Sequence, residues 1–293
     1  MPNLSVSASL VVVLAASAGV ARATDPPPSA RVSYAAFPTL HGVPLTVAGR
    51  LMVPRRAPGK VPAVLIVHGS AGLDSRGPLM AEALIRAGIA TLEINMWAAR
   101  GLRGGAAGRP GRVTDTLPDA FGALKFLSSH PALDPERIGI TGFSWGGVVS
   151  MLTASRPLAD EYGSPGLRFR AHAPFYPVCW IYNSPQRPDY VFRELTGAPV
   201  LIQGGELDTY DEPDTCQKLV DSLPEGSRRL VRLKMHSGAT HRFDGTEPEH
   251  VFQDPAANLG RGGEVRATPN LVAAALAREA TVRFFSEVFG LNK

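Results

Sequence analysis

The chain has 293 residues, 44% hydrophobic and 19% charged, which excludes a disordered chain and leaves one ordinary globular domain, with or without additions. A formal net charge of +4, spread over scattered Lys and Arg, excludes a strongly basic nucleic-acid face. The densest group, Arg100, Arg103, Arg109 and Arg112, lies in a glycine-rich loop without interleaved aromatics and reads as a solvated loop.

The N-terminus carries the apolar run Leu10 to Ala16, which fades into small residues and ends at Ala21-Arg22-Ala23 before Thr24-Asp25-Pro26-Pro27-Pro28. That is a signal-peptide profile with an A-x-A cleavage site, although Met1 to Ser9 contains no Lys or Arg. The expected organisation is a signal peptide over 1–23, a linker over 24–30 and a single domain over 31–293, in a periplasmic or secreted protein. An uncleaved tail and a misassigned start codon are the alternatives. No stretch reaches the length of a membrane span, so no stable membrane anchor is expected once the signal is removed.

In chain order, Arg31 to Phe37 and Pro44 to Pro54 are β-leaning segments separated by the turn Pro38 to Gly42, an antiparallel start to a sheet. The continuous apolar run Val61 to Val67 fits a strand covered on both faces. Alternation follows: a helix around Leu79 to Ala87, a strand Ile89 to Ile94, the glycine and arginine loop, and a helix Pro118 to Ser129. Leu117, Ala120, Phe121, Leu124 and Leu127 recur in that helix at helical spacing, with Pro118 tolerated in the first turn. Further strands are expected at Arg137 to Thr141, Phe169 to Ala173, Pro199 to Gln203 and Arg229 to Met235, and a helix near Pro213 to Leu223. A closing helix over Leu271 to Phe289 has Leu271, Ala275, Val282, Phe285 and Phe289 as its expected buried stripe, interrupted by Arg278. This is an α/β pattern: a mainly parallel sheet with helices on both faces and antiparallel N-terminal strands.

Between a strand and the helix-like Val148 to Leu152 lies Gly142-Phe143-Ser144-Trp145-Gly146-Gly147, the layout of a nucleophile elbow. Serine is a weak nucleophile at neutral pH and needs a base, an orienter for the base and donors for an oxyanion. The chain order Ser, acid, His is that of an α/β-hydrolase fold. Asp208 directly follows the strand Pro199 to Gln203 and is the expected orienter, with Asp211 and Asp214 as substitutes. The loop His236 to Phe243 offers His236 and His241, and His241, set before the apolar Phe243, is the expected base. Oxyanion donors are expected from the amide of Trp145 and from the loop His68-Gly69-Ser70-Ala71-Gly72, with Ser70 first and Ala71 second. His68 is expected to shape that loop without transferring protons.

Cys179 and Cys216 are an even pair that permits one disulfide or stays as two buried thiols, and spacing alone does not separate these. No metal-ligand spacing occurs, so neither metal nor cofactor is expected. Arg100, Trp180 and Tyr182 are candidate substrate-binding residues: Arg100 for a carboxylate or as a helix cap, the aromatics for a pocket or as core.

Taken together, the HG-x-x-G segment, the Arg100-Gly101 pair, Asp119-Ala120 with Ala123-Leu124, the elbow, Phe175 to Cys179, Asp208 with Cys216, and Thr240-His241-Arg242-Phe243-Asp244 resemble the dienelactone hydrolase family of α/β-hydrolases. The resemblance spans about Arg31 to Phe289 and implies hydrolysis of esters or lactones by a triad matching Ser144, Asp208 and His241. It also favours a Cys179–Cys216 bridge. The family's namesake has a nucleophilic cysteine and a glutamate in the HG loop; here Ser144 and a loop without Glu move the expected substrate from dienelactone to a general small-molecule carboxylic ester. An acyltransferase or peptidase with the same triad, and a non-catalytic binding protein on the same scaffold, are the rival readings.

Overall fold

The computed structural model describes residues 30–55 and 59–291, so the expected signal peptide and nearly all of the linker lie outside the described residues. Among the described residues ten strands and eight α-helices occur in the order β1 (Ala30–Pro38), β2 (Thr46–Pro54), β3 (Val61–Val67), α1 (Arg76–Arg86), β4 (Ala90–Asn95), α2 (Leu117–Ser129), β5 (Leu133–Phe143) and α3 (Trp145–Thr153), and continue with α4 (Arg156–Tyr162) and β6 (Ala171–Phe175). After these come β7 (Val200–Gly205), α5 (Thr215–Asp221), α6 (Glu225–Arg228), β8 (Val231–His236), β9 (His250–Asp254), α7 (Ala257–Gly260), β10 (Gly263–Ala267) and α8 (Leu271–Val288).

Eight strands form one sheet in the order β1-β2-β4-β3-β5-β6-β7-β8. The pairs β1–β2 and β2–β4 are antiparallel, while β4–β3, β3–β5, β5–β6, β6–β7 and β7–β8 are parallel. Every residue of β3 is buried, as its unbroken apolar run requires of a strand covered on both faces. Side chains alternate across it: Ala63, Leu65 and Val67 join the core under α2 and α3, whereas Val64 and Ile66 join the core under α1 and α8.

The closing helix buries Phe285 and Phe289 of the expected stripe, with Val282 packed against the same core, but leaves Leu271 and Ala275 exposed. Leu271 is 72% exposed, and Ala273, Ala274, Ala277, Ala280, Thr281 and Phe284 complete the buried face. Gly139 of β5 makes room for the two large rings of that face: a Cβ added to it would stand 2.5 Å from Phe285 and 3.2 Å from Phe289. The Asn270 side chain accepts the Ala273 N–H and caps the helix. A second, two-stranded antiparallel sheet of β9 and β10 has no counterpart in the sequence reading.

Candidate active site

The residues singled out for chemistry collect at the carboxyl ends of the parallel strands, where open α/β sheets place their ligands. Ser144 follows β5 with φ 53° and ψ −109°, a left-handed conformation that is strained for a residue with a Cβ. Its neighbours show why the turn needs glycine. A Cβ on Gly142 would lie 2.3 Å from the Gly146 carbonyl oxygen, and a Cβ on Gly146 would lie 2.1 Å from that of Val67. The elbow is thus wedged against the end of β3, and the Ser144 N–H donates to the Phe175 carbonyl at the end of β6 (3.0 Å).

His241 is brought to Ser144 by the packing of the β8 loop on the end of β7. The Glu206 and Leu207 amides donate to the carbonyls of His236 and Ala239, at 3.1 and 2.8 Å. His241 Nε2 lies 2.9 Å from Ser144 Oγ, and His241 Nδ1 lies 2.7 Å from Asp208 Oδ2. A proton on Nδ1 directed to Asp208 leaves Nε2 free to accept the serine hydroxyl. The other Asp208 oxygen accepts the Tyr210 N–H (3.0 Å), and the imidazole is held between Tyr210 and Tyr176, with ring centroids 4.4 and 4.7 Å away.

The alternatives occupy other positions. Asp211 accepts the N–H groups of Cys179 and Trp180 (2.7 and 2.9 Å), and the exposed Asp214 pairs with Lys218. His236 bonds to Gln203 Oε1 in the core, and burial lowers its pKa to about 4. Burial likewise lowers the pKa of His68 to about 4, so its ring is neutral at pH 7. His68 Nε2 accepts the Met96 N–H (3.0 Å), and its Nδ1–H donates to the Gly69 carbonyl, which also accepts the Gly72 N–H. Because the Gly69–Ser70 peptide is trans, tying back its carbonyl leaves the Ser70 N–H on the opposite edge. Among the described residues neither the Ser70 nor the Trp145 amide donates to a carbonyl.

Beneath this group runs a buried charge network. Arg76 is 2% exposed and pairs with Asp74, which Arg242 also contacts (3.0 Å). Arg76 further donates to the Tyr176 hydroxyl (2.9 Å), and that hydroxyl donates to Asp244. Burial pushes the Asp244 carboxyl above its ordinary range. Burial also acts on Asp74, but Arg76 and Arg242 outweigh it and hold that carboxyl below its ordinary range.

Two cavities meet at Ser144. One, of about 180 Å³, is bounded by Ser70, Ala106, His241, His250 and Phe252; the other, of about 120 Å³, by Trp145, Val148, Trp180, Tyr190 and Tyr210. Trp180 therefore stands where a substrate-binding residue was expected. Tyr182 does not: it is buried, its hydroxyl donating to the Pro177 carbonyl (3.0 Å), and it borders neither cavity. Arg100 is also withdrawn. Its guanidinium forms a two-pronged pair with the buried Asp119 (2.7 and 2.9 Å) and reaches the carbonyls of Met96 and Asp115, so it fastens the loop to α2.

Cys179 and Cys216 are joined in a disulfide. With Asp211 their donor atoms fall within 4.8 Å of one another, but while the sulfurs are bonded to each other only the carboxylate could serve a metal ion.

Sequence reading missed Tyr176, Tyr210, the Asp74–Arg76–Asp244 network and the contribution of β9. The alternation His250-Val251-Phe252-Gln253-Asp254 was a usable strand signal. Asp254 at its end binds Arg109 through two hydrogen bonds (2.6 and 2.9 Å), which fixes the glycine-rich loop over Ser144.

The model of the dienelactone hydrolase family matches residues 47–289. An uncharacterized protein of Mycobacterium tuberculosis is 31% identical over 190 residues, covering 61% of this chain and 63% of its own length, so the match leaves more than a third of that relative uncovered. Among solved structures, a dienelactone hydrolase-like promiscuous phosphotriesterase from metagenomic libraries has a TM-score of 0.61 at 19% identity, covering 88% of this chain and 99% of its own. Thermogutta terrifontis esterase 2 phosphorylated by paraoxon has a TM-score of 0.61 at 17% identity, covering 92% of this chain and 97% of its own. At these identities the structural likeness carries the fold.

Proposed function

The chain belongs to the dienelactone hydrolase family, and from that premise we propose that it is a serine hydrolase cleaving a carboxylic ester or lactone through an acyl-enzyme on Ser144. The observation that carries this reading is the pair of contacts made by His241, 2.9 Å to Ser144 Oγ and 2.7 Å to Asp208 Oδ2. As Ser144 Oγ attacks the carbonyl carbon, His241 Nε2 takes its proton, and Asp208 stabilises the imidazolium. The carbonyl oxygen becomes an oxyanion that the amides of Trp145 and Ser70 receive. Collapse breaks the bond to the alcohol oxygen, which leaves with the proton from His241. Water then attacks the acyl-enzyme with the same base, releasing the carboxylic acid and regenerating Ser144.

We also read the chain as exported, on the Leu10 to Ala16 run and the Ala21-Arg22-Ala23 site. A disulfide fits an oxidising compartment. N-terminal sequencing of the protein recovered outside the cytoplasm tests this, with Thr24 as the expected first residue.

The test of the reaction is ester hydrolysis by the native protein, Ser144→Ala, His241→Ala and Asp208→Asn. The first two are expected to lose nearly all turnover. Asp208→Asn, which preserves shape but presents the wrong partner to Nδ1, is expected to lower kcat by about 10⁴-fold. Turnover by Ser144→Ala equal to that of the native protein would refute the proposal.

A further inference from the structure

Ser144 stands where two cavities of unlike chemistry meet, and their linings distinguish the two halves of an ester. We propose that the cavity under Trp180 is the acyl site and takes a monocyclic aromatic carboxylic acyl group, while the cavity beside His250 takes the leaving alcohol. This rests on the serine-hydrolase reading above.

Direction follows from the proton. The alcohol oxygen must receive its proton from His241 Nε2, so the alcohol leaves on the His241 side of the tetrahedral carbon. His241 borders the 180 Å³ cavity with Arg242, His250 and Phe252, whereas the 120 Å³ cavity is bordered by Ser144 and, from the helix that follows it, by Trp145 and Val148. The acyl substituent is left with the second.

Its size and walls select the substituent. An enclosed apolar cavity of about 150 Å³ holds a benzene-sized guest, so this open cavity of about 120 Å³ suits one ring better than a fused pair. Four of the bordering side chains are aromatic, Trp145, Trp180, Tyr190 and Tyr210, and the two cations that also border the cavity, Arg109 and Arg187, lie against the rings of Trp145 and Trp180. Rings so placed reward a planar guest with edge-to-face and offset contacts, which a saturated chain does not make. The guest's carboxyl carbon stays at Ser144, at the cavity mouth.

The walls are held in place before any ligand arrives. Trp145 Nε1 donates to Thr116 Oγ1 (3.1 Å), and the Arg109 guanidinium covers its ring at 5.5 Å. Trp180 Nε1 donates to the Ala256 carbonyl (3.2 Å), and Arg187 lies 4.5 Å from its ring centroid. The Tyr190 hydroxyl accepts the Val113 N–H. Val178, β-branched yet left-handed with φ 55°, is held in that unfavourable conformation beside the Cys179–Cys216 bridge and the Asp211 carboxylate. A rigid aromatic slot suits a rigid ligand, because little rotamer freedom is lost on either side.

The test compares kcat/KM for ethyl acetate, ethyl hexanoate, ethyl benzoate and ethyl 2-naphthoate, each divided by its hydroxide-catalysed rate to remove intrinsic reactivity. Benzoate is expected to lead acetate and hexanoate by about tenfold or more, with naphthoate falling behind. Val148→Phe, which fills the slot, is expected to lower the benzoate-to-acetate ratio about tenfold. Trp180→Ala, at a half-buried position that tolerates truncation better than the core, is expected to raise naphthoate relative to benzoate. Phe252→Ala should change the ranking among benzoates of different alcohols rather than the ranking among acids. A normalised preference for hexanoate over benzoate, or slot variants that leave the acid ranking intact, would overturn the assignment. Paraoxon labelling of Ser144, followed in every variant, separates this failure from failure of the hydrolase reading: a labelled protein with no aromatic preference sinks only the acyl-site assignment.

Discussion

Gly146, two residues after Ser144, lies so close to the end of β3 that a Cβ on it would stand 2.1 Å from the Val67 carbonyl oxygen and 2.8 Å from that of His68. The nucleophile turn and the loop carrying the Ser70 amide are therefore one packed unit. Gly146→Ala is expected to force them apart, with a stability loss of about 1–3 kcal/mol or more from overpacking. If the folded fraction survives, its kcat should fall by about 10²-fold or more, as for loss of one oxyanion donor. Chemical denaturation and ester kinetics on the same preparation check both.

Arg76 is fully enclosed between Asp74, Tyr176 and the Phe143 ring, whose centroid is 5.1 Å from the guanidinium. Arg76→Met keeps much of the volume but takes from Asp74 one of its two cations, leaving Arg242, and takes from the buried Asp244 the cation it meets through the Tyr176 hydroxyl. A loss of about 3–5 kcal/mol is expected, as for a buried pair robbed of one partner. Urea midpoints measure it, and a change under about 1 kcal/mol would show that the network is solvated or redundant.

Asp211 gives the protein a pH-dependent stability term. Burial, then the charge of Asp208, pushes its pKa from 3.8 up to about 7, against the opposing pull of the Cys179 and Trp180 amides. Between about pH 4 and pH 7 the folded chain therefore holds a proton that the unfolded chain has released. This group's contribution is present in full below pH 4 and is lost as pH rises through 7. Asp211→Asn is expected to flatten that part of the stability profile, seen as a smaller fall in Tm between pH 5 and pH 8 than in the native protein.

Cys179 and Cys216 are 37 residues apart in sequence, and joining them shortens the unfolded chain's loop. Replacing both with Ala is expected to cost about 2–4 kcal/mol. The affected segment includes Val178 and Trp180 of the aromatic cavity, so ligand-free protease sensitivity around residues 178–182 should rise with it. Equal urea midpoints for the native and doubly substituted proteins would contradict this.

Much of the architecture was legible because it is written in local pattern. The unbroken apolar run Val61 to Val67 announces a doubly covered strand, and glycines around Ser144 announce a tight turn whose clashes the structure makes explicit. The closing helix was read correctly at Phe285 and Phe289, which pack on Gly139, and wrongly at Leu271 and Ala275, which are exposed while Ala273, Ala274 and Ala277 take the buried face. Arg100 and Tyr182 were each left between a binding and a structural role, and the structure gives them the structural one. Whether an arginine meets a substrate or Asp119, nineteen positions away, depends on loop geometry that sequence spacing does not encode. Tyr176 and Tyr210 went unseen because ring packing on His241 arises only when three strand ends converge.

The central claim is that Ser144 is the nucleophile, activated by His241. Its most direct test is mass spectrometry of the protein after exposure to paraoxon, the reagent that phosphorylates Thermogutta terrifontis esterase 2. The account predicts one diethylphosphoryl adduct, on the peptide containing Ser144, absent from Ser144→Ala and much slower to form in His241→Ala. No adduct on the native protein, or one formed equally fast by Ser144→Ala, would contradict it.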